Sequence, residues 1–172
     1  MNLAAHPGLS RALTAVRGAE IGLLRSVAVD LVVADTSAGG GDALGMVGPT
    51  AIDILRRATG PASVDLQSHA TADGGAVTFL GRTERTVVVN AHVSVVAGAH
   101  REYVRATARF VGTHGSVFVD LLRPALDVRT ATGTTRVPFG VPGPDVAPGE
   151  TAAILSAIAD SARSAQTVST TW

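Results

Sequence analysis

The sequence predicts an α+β fold: an antiparallel-rich mixed sheet of about six strands, with two or three helices on one face. Several central runs alternate apolar and polar residues, which is typical of strands with one buried face. Runs near both ends place apolar residues at helical spacing instead. The chain has 172 residues, 46% of them hydrophobic. It can therefore bury one core, and we expect a single domain over residues 1–172.

The chain starts with a predicted helix and strand. Residues 9–17 show helical spacing, with Ser10 or Gly8 as the N-cap and Gly18 as the end. The Val- and Leu-rich run 23–35 predicts the first strand.

A second helix is predicted to begin near Gly48, because Pro49 is tolerated in the first turn of a helix but not in its middle. Gly60 ends it. Further strands are predicted at 62–71, 75–81, 85–96, 101–110, 116–122, 125–130 and 134–139. A closing helix is predicted at 150–165, and the tail after it could add a strand.

Composition excludes several function classes. All 14 basic residues are arginine and there is no cysteine, so the sequence has no lysine or cysteine nucleophile and no disulfide. A net charge of zero and 3% aromatic residues argue against a nucleic-acid partner. No apolar run reaches membrane-spanning length and no signal-peptide pattern is present, so we expect a cytoplasmic protein without a membrane partner.

Three stretches together resemble one enzyme family. They are "RALTAVRGAEIGLLRSVAVD", "ATARFVGTHGSVFVD" and "AILSAIADSARSAQTV". Their order and spacing, over roughly residues 9–168, are similar to the C-terminal domain of the glucose–fructose oxidoreductase/inositol dehydrogenase (Gfo/Idh/MocA) family. The resemblance implies a dihydrodipicolinate-reductase-like fold and a substrate-binding or oligomerising role.

The resemblance also implies a preceding Rossmann domain with a glycine fingerprint and a catalytic lysine. This sequence has neither: a G-x-G-x-x-G pattern that starts at Gly39 meets Leu44 at the third glycine. We therefore expect no NAD(P) site in this chain alone and no autonomous dehydrogenase activity. NAD(P) would be reached only through a partner subunit that carries a Rossmann domain.

The second helix departs from the family as well. The family motif D-x-G-x-H-x-x-D supplies a catalytic histidine. Counting back from Asp53 places Met46 and Thr50 at the Asp and His positions, and counting forward from Gly41 places Gly45 and Pro49 there. Neither register provides an acid–base group.

The polar face of the predicted strands carries the candidate site. Histidine titrates near neutral pH, so His92 and His69, with Tyr103, are the candidate catalytic groups. Arginine binds carboxylate or phosphate, which predicts a small polar or anionic ligand. The candidate ligand-binding residues are Asn90, Arg101, Arg105 and Arg109. Histidine spacing predicts no metal site, and His6, His100 and His114 are expected to be exposed.

Two hypotheses for the function follow. In the first, the chain is a stand-alone subunit that binds a small molecule or self-associates through the sheet face, for example as one subunit of a split dehydrogenase. In the second, it is a cofactor-free isomerase, dehydratase or cyclase that uses acid–base groups on the polar sheet face. The same polar face is also compatible with a solvated or subunit-facing surface, and we expect a homo-oligomer, most simply a dimer.

Overall fold

The computed structural model describes residues 3–35, 41–98, 102–123, 125–138 and 151–172. Within these ranges nine strands form one mixed sheet and three α-helices pack against it. The elements are α1 (Pro7–Arg17), β1 (Leu24–Asp35), α2 (Ala43–Thr59), β2 (Ser63–Ala70), β3 (Ala76–Thr83), β4 (Val88–Ala97), β5 (Tyr103–Gly112), β6 (Gly115–Asp120), β7 (Ala125–Thr130), β8 (Gly133–Pro138), α3 (Ala152–Ser164) and β9 (Val168–Thr171).

The strand order is β8-β7-β6-β5-β1-β4-β3-β2-β9. Only the central pair β1–β4 is parallel, and every other neighbouring pair is antiparallel. The predicted α+β class is confirmed. The sheet has nine strands rather than about six, because all eight strand segments identified in the sequence join one sheet and the C-terminal β9 adds a ninth.

One face of the sheet carries the hydrophobic core. The alternate residues Val27, Val29, Leu31 and Val33 of β1 are buried, and the neighbouring strands repeat the pattern. Helix α2 packs on β1 and β4, α3 on β2 and β9, and α1 on β5, β6 and β7. The predicted cover of one face by helices is confirmed, since an amphipathic helix and a half-apolar sheet bury each other.

Helix α1 begins two residues before the predicted start and has a different cap. His6 is the N-cap, and its Nδ1 accepts a hydrogen bond of 3.1 Å from the backbone N–H of Gly8. Pro7 occupies the first helical position, where its missing N–H is not needed. The expectation that His6 is exposed is wrong, because only 3% of it is accessible. This burial lowers the pKa of His6.

Helix α2 begins at Ala43, earlier than the predicted Gly48, and contains Pro49 in its second turn. Proline cannot donate to the carbonyl four residues earlier. That carbonyl belongs to Gly45, which is exposed, so water can hydrate it. The predicted end is confirmed, since Gly60 is the C-cap.

Two of the family-like stretches contact each other before β1. The backbone N–H of Thr113 donates to the carbonyl of Leu23 at 3.0 Å. Gly22 has a φ of 77°, a conformation that L side chains rarely adopt. A Cβ on Gly112 would lie 2.1 Å from the carbonyl oxygen of Ile21. Both glycines are therefore required by the close approach of these segments.

A buried hydroxyl pair joins α3 to β2. The Ser161 Oγ accepts from the Ser68 backbone N–H at 3.0 Å and donates to the Gln166 carbonyl at 2.6 Å. The Ser68 hydroxyl donates to the Ile158 carbonyl at 2.5 Å. The buried side of α3 thus includes Ser161, whereas Ala153 is exposed.

Candidate functional site

The sheet face opposite the helices, called the open face below, carries a polar row that crosses six neighbouring strands. Strand register places its members side by side in the order His69, Thr78, His92, Asp30, Thr107 and Asp120. Asp30 lies on β1 between His92 on β4 and Thr107 on β5. The row exists because β1 is inserted between these two strands.

A shallow cavity of about 250 Å³ lies over the centre of this row. Its walls are Ala28, Val29, Asp30, Asn90, His92 and Thr107. Ala28 has a small side chain, which leaves space between the longer polar side chains on either side. The cavity therefore combines hydrogen-bonding groups with room for a small molecule.

Asp30 forms an ion pair with Arg105 beside this cavity. Its Oδ2 accepts from the Arg105 Nη1 at 3.0 Å, and the side chains of Asp30 and Arg105 are 31% and 62% exposed. The Oδ1 of Asp30 is buried, and no group of the described residues donates to it. A buried acceptor of this kind is destabilising unless something supplies a donor.

His92 is held by one hydrogen bond. Its Nδ1 lies 2.9 Å from the Thr78 hydroxyl, and either atom can be the donor. The other ring nitrogen can therefore accept or donate a proton, depending on the tautomer. His69, the second histidine proposed as catalytic, lies in the same row but on the far side of Thr78.

Tyr103, the third residue proposed as catalytic, does not lie on the open face. An irregularity in the β1–β5 register makes Tyr103 pair with Val33, while Arg105 pairs with Val32. The extra residue Val104 reverses the alternation, as a β-bulge does. Tyr103 consequently packs against the core side, and its assignment to the polar face is corrected.

The four residues predicted to bind a ligand have different positions. Asn90 lines the cavity. Arg105 is engaged with Asp30. Arg109 is exposed on the open face beside Ala28, and it forms no ion pair with any described residue. Arg101 lies outside the described residues, as does His100, whereas His114 is exposed as expected.

Sequence reasoning missed Asp30, Thr78 and Thr107. A signal for Asp30 was present: it is the only charged residue between Arg25 and Asp35 in a strand of otherwise apolar character. Its importance depends on which strands flank β1, and the spacing of residues along one strand does not encode this.

The open face also has apolar and ionic parts away from the centre. Leu80, Val88 and Phe118 are 51%, 40% and 41% exposed. A second cavity of about 270 Å³ lies beside Phe118, near the ion pair between Arg136 Nε and Asp127 Oδ1 at 2.9 Å. The hydrogen bond from Arg136 lowers the pKa of Asp127.

The part of α2 that is aligned with the family's catalytic motif by counting back from Asp53 has no acid–base pair. Met46 is 47% exposed and Thr50 is partly buried. Asp53 is engaged with Arg57, whose Nε lies 2.9 Å from Asp53 Oδ2, as helix-surface pairing predicts.

The described strands do not form a Rossmann βαβ unit. A Rossmann site needs a βαβ unit with neighbouring parallel strands. Here α2 leads from β1 to β2, which pairs only with β3 and β9. In the described part of the chain there is also no group of three or more His, Cys, Asp or Glu side chains that could hold a metal ion. No helix within the described ranges is long and apolar enough to cross a membrane.

Comparison with known proteins finds similarity in structure only. No protein-family model matches the sequence, and no curated protein is similar to it by sequence. Among solved structures, an NAD-binding oxidoreductase from Klebsiella pneumoniae superposes with a TM-score of 0.80 at 14% identity, over 98% of this chain and 64% of that chain. Levoglucosan dehydrogenase in complex with NADH and levoglucosan gives a TM-score of 0.76 at 20% identity, with the same coverage.

A third structure, an oxidoreductase from Agrobacterium radiobacter in complex with NAD+, L-tartaric acid and magnesium, gives a TM-score of 0.77 at 14% identity. It matches over 97% of this chain and 63% of that chain. This chain thus spans less than two-thirds of the length of each of these three proteins. At these identities the similarity establishes a shared fold, that of a domain in NAD-binding oxidoreductases.

Proposed function

We propose that this chain acts as the C-terminal-domain subunit of a Gfo/Idh/MocA-type oxidoreductase, binding a small molecule and self-associating, while a Rossmann-domain partner supplies NAD(P). One observation carries the proposal: the fold match extends over 98% of this chain but only 64% of levoglucosan dehydrogenase, whose complex contains NADH. A match of this extent supports a correspondence to the C-terminal domain, whose sequence motifs this chain resembles.

Two further observations support a cofactor supplied by a partner. The described strands contain no βαβ unit that would bind a dinucleotide. The α2 positions of the family's acid–base motif are occupied by Met46 and Thr50, in one of the two possible registers, and neither residue titrates near neutral pH. Hydride transfer needs both a nicotinamide and, in most cases, a proton donor beside the substrate.

Self-association through the open face is part of the same proposal. Leu80, Val88 and Phe118 expose apolar surface on a face that also carries ion pairs. A mixed surface of this kind is typical of subunit interfaces, and a two-fold dimer is the simplest closed assembly. Light scattering after size-exclusion chromatography should give the mass of a dimer, and Phe118→Glu should reduce it to that of a monomer. A wild-type mass of one chain contradicts this part of the proposal.

The redox role is tested by reconstitution. The chain would be co-expressed with a Rossmann-domain oxidoreductase subunit, and NAD(P)H formation followed at 340 nm with a panel of sugars, polyols and hydroxy acids. We expect turnover only when both chains are present. NAD(P)-dependent turnover by this chain alone refutes the need for a partner, and no turnover by the pair with any substrate refutes the redox role.

A cofactor-free acid–base enzyme is the second candidate, because His92 is oriented by Thr78 in a cavity that also contains Asp30. An isomerase or dehydratase of this kind exchanges carbon-bound protons with solvent. Incubation of the chain alone with hydroxy acids and sugars in D2O should then give deuterium incorporation, detected by NMR. Equal incorporation by wild type and His92→Gln excludes His92 as the base.

A further inference from the structure

We propose that a second copy of this chain covers the open face with a two-fold axis that runs close to β1, so that Leu80 of each copy contacts Phe118 of the other. This inference rests on the proposed self-association through the open face, and it adds the direction of the axis and the residues that pair. It follows from the strand order, which the sequence motifs do not specify.

The position of β1 favours this axis. Strand β1 is the fifth of the nine described strands, so the open face extends four strands to either side of it. An axis along β1 places each strand over the strand at the same distance on the other side. The two faces then overlap across their whole width of about 38 Å. With strands of about 17–20 Å, the overlap is about 700 Å² per copy, close to the area of about 800 Å² that each partner buries in a standard interface.

The exposed apolar side chains of the open face complement each other about this axis. Leu80 on β3 lies two strands to one side of β1, and Phe118 on β6 lies two strands to the other. Strand register places both in one row, with Asn90, Ala28 and Arg109 between them. Rotation about β1 brings Leu80 onto Phe118 of the second copy, twice in one dimer. These side chains are 51% and 41% exposed in the single chain, so the contact removes apolar surface from water.

The centre of the same row suits close packing on the axis. Ala28 has a short side chain, so a second sheet can approach to the usual distance of about 10 Å. The Asn90 amide then lies opposite the Arg109 guanidinium of the second copy. In the single chain neither group forms a hydrogen bond or ion pair with a described residue. Asp30 also lies on β1 and approaches its counterpart in the second copy, but Arg105 balances its charge.

The charges of the open face disfavour an axis perpendicular to the strands. Strands β5 to β8 carry four arginines and two aspartates there, whereas β9, β2, β3 and β4 carry one of each. These residues are Arg105, Arg109, Arg129, Arg136, Asp120 and Asp127 on the first side, and Arg82 and Asp65 on the second. A perpendicular axis makes the basic side face its own copy, and like charges in contact are unfavourable. The axis along β1 places the basic side over the neutral side.

The test uses two charge variants that complement each other only across this interface. Leu80→Arg and Phe118→Glu each place an unpaired charge against an apolar side chain of a second, identical chain. We expect each variant alone to raise the dissociation constant of the dimer at least about tenfold. A heterodimer of the two has one ion pair between the introduced charges and one unchanged contact between Leu80 and Phe118. An equimolar mixture should therefore dimerise again, with the heterodimer identified by its mass in native mass spectrometry.

Val88→Glu is the matched control. Val88 is 40% exposed on the same face, but the axis along β1 places it opposite Val111 of the second copy. Its new carboxylate would be three strand spacings, or about 14 Å, from the charge introduced by Leu80→Arg. The mixture of these two variants should stay monomeric where the first mixture dimerises. The reversed pair, Leu80→Glu with Phe118→Arg, should also recover dimerisation, and it replaces the first pair if either variant lacks a folded circular dichroism spectrum.

The outcomes separate this inference from the proposed function. A dimeric wild type overturns the axis and leaves self-association in place if the single variants stay fully dimeric, if the complementary mixture gives no heterodimer, or if the Val88→Glu mixture recovers equally. A monomeric wild type overturns both the axis and self-association. The redox role is measured separately, because neither a Rossmann-domain partner nor NAD(P) is present in these experiments.

Discussion

The hydroxyl of Ser161 is predicted to be worth more to stability than any exposed hydroxyl of the same helix. Ser161 is fully buried, and its Oγ satisfies the backbone N–H of the buried Ser68. Ser161→Ala leaves that N–H without a partner in the core, which costs about 1–3 kcal/mol. The second bond, to the carbonyl of the exposed Gln166, can be replaced by water and adds little.

Alanine also has a higher helix propensity than serine, by about 0.5 kcal/mol, and this gain partly masks the loss. Ser164→Ala is the matched control, since Ser164 is exposed. Its hydroxyl donates to the Asp160 carbonyl of its own helix and accepts at 3.4 Å from the backbone N–H of Gln166, which is exposed and can bind water instead. We expect Ser161→Ala to be less stable than Ser164→Ala by about 1–3 kcal/mol. For a chain of this size, each kcal/mol lowers the melting temperature by about 2–4 °C.

The assay is urea unfolding followed by fluorescence of Trp172, the only tryptophan in the chain. Trp172 is 5% exposed, and its indole N–H donates to the Thr59 hydroxyl at 3.1 Å, so unfolding will change its environment. The midpoint should fall while the slope of free energy against urea stays constant. Surface substitutions usually change the free energy of unfolding by no more than about 0.5 kcal/mol. If the free energies of unfolding of the two variants differ by less than this, the Ser161 hydroxyl does not stabilise the contact between α3 and β2.

Three further results are expected. Gly22→Ala should lower the free energy of unfolding by about 1–3 kcal/mol, because the residue has a positive φ and the added Cβ would lie 2.3 Å from the His114 ring; unchanged urea stability contradicts this. Burial lowers the pKa of His6, so below pH 6.5 the unfolded chain binds more protons at this residue than the folded chain does. The free energy of unfolding should therefore decrease as the pH is lowered from 6.5, until the pH passes the lower pKa of the folded state. His6→Asn, which keeps a capping acceptor, should remove this slope, and an unaltered slope assigns it elsewhere. Arg136→Gln should raise the pKa of Asp127, followed by carboxyl-carbon NMR, because the hydrogen bond from Arg136 lowers it; an unmoved midpoint refutes that cause.

The local patterns of the sequence were sufficient for most elements. Period-two alternation identified the strands that became β2, β4 and most of β5, with the correct buried face in each. The first helix was placed correctly except for its start and its cap, because a buried histidine as the N-cap acceptor is not a common helix-start signal. The second helix was predicted too short, since Pro49 is usually a signal of the first turn rather than of the second.

The candidate site was predicted only in part. His92, Asn90 and Arg105 do come together on the open face, since each alternates to the polar side of its strand. Tyr103 was assigned to the wrong face, because one inserted residue, Val104, reverses the alternation at the first residue of that strand. A bulge of this kind arises from how two strands fit each other, so the alternation along one strand does not reveal it.

The sequence by itself determined which residues of most strands face the core and which face away. That choice follows from the two-residue period of an extended chain, and it fails where a bulge such as the one at Val104 interrupts the period. Only the tertiary structure decided that β1 lies between β4 and β5, parallel to the first and antiparallel to the second. Strand order depends on long-range pairing, in which many arrangements bury similar apolar faces. That order is what places Asp30 between His92 and Thr107 and forms the cavity over the sheet centre.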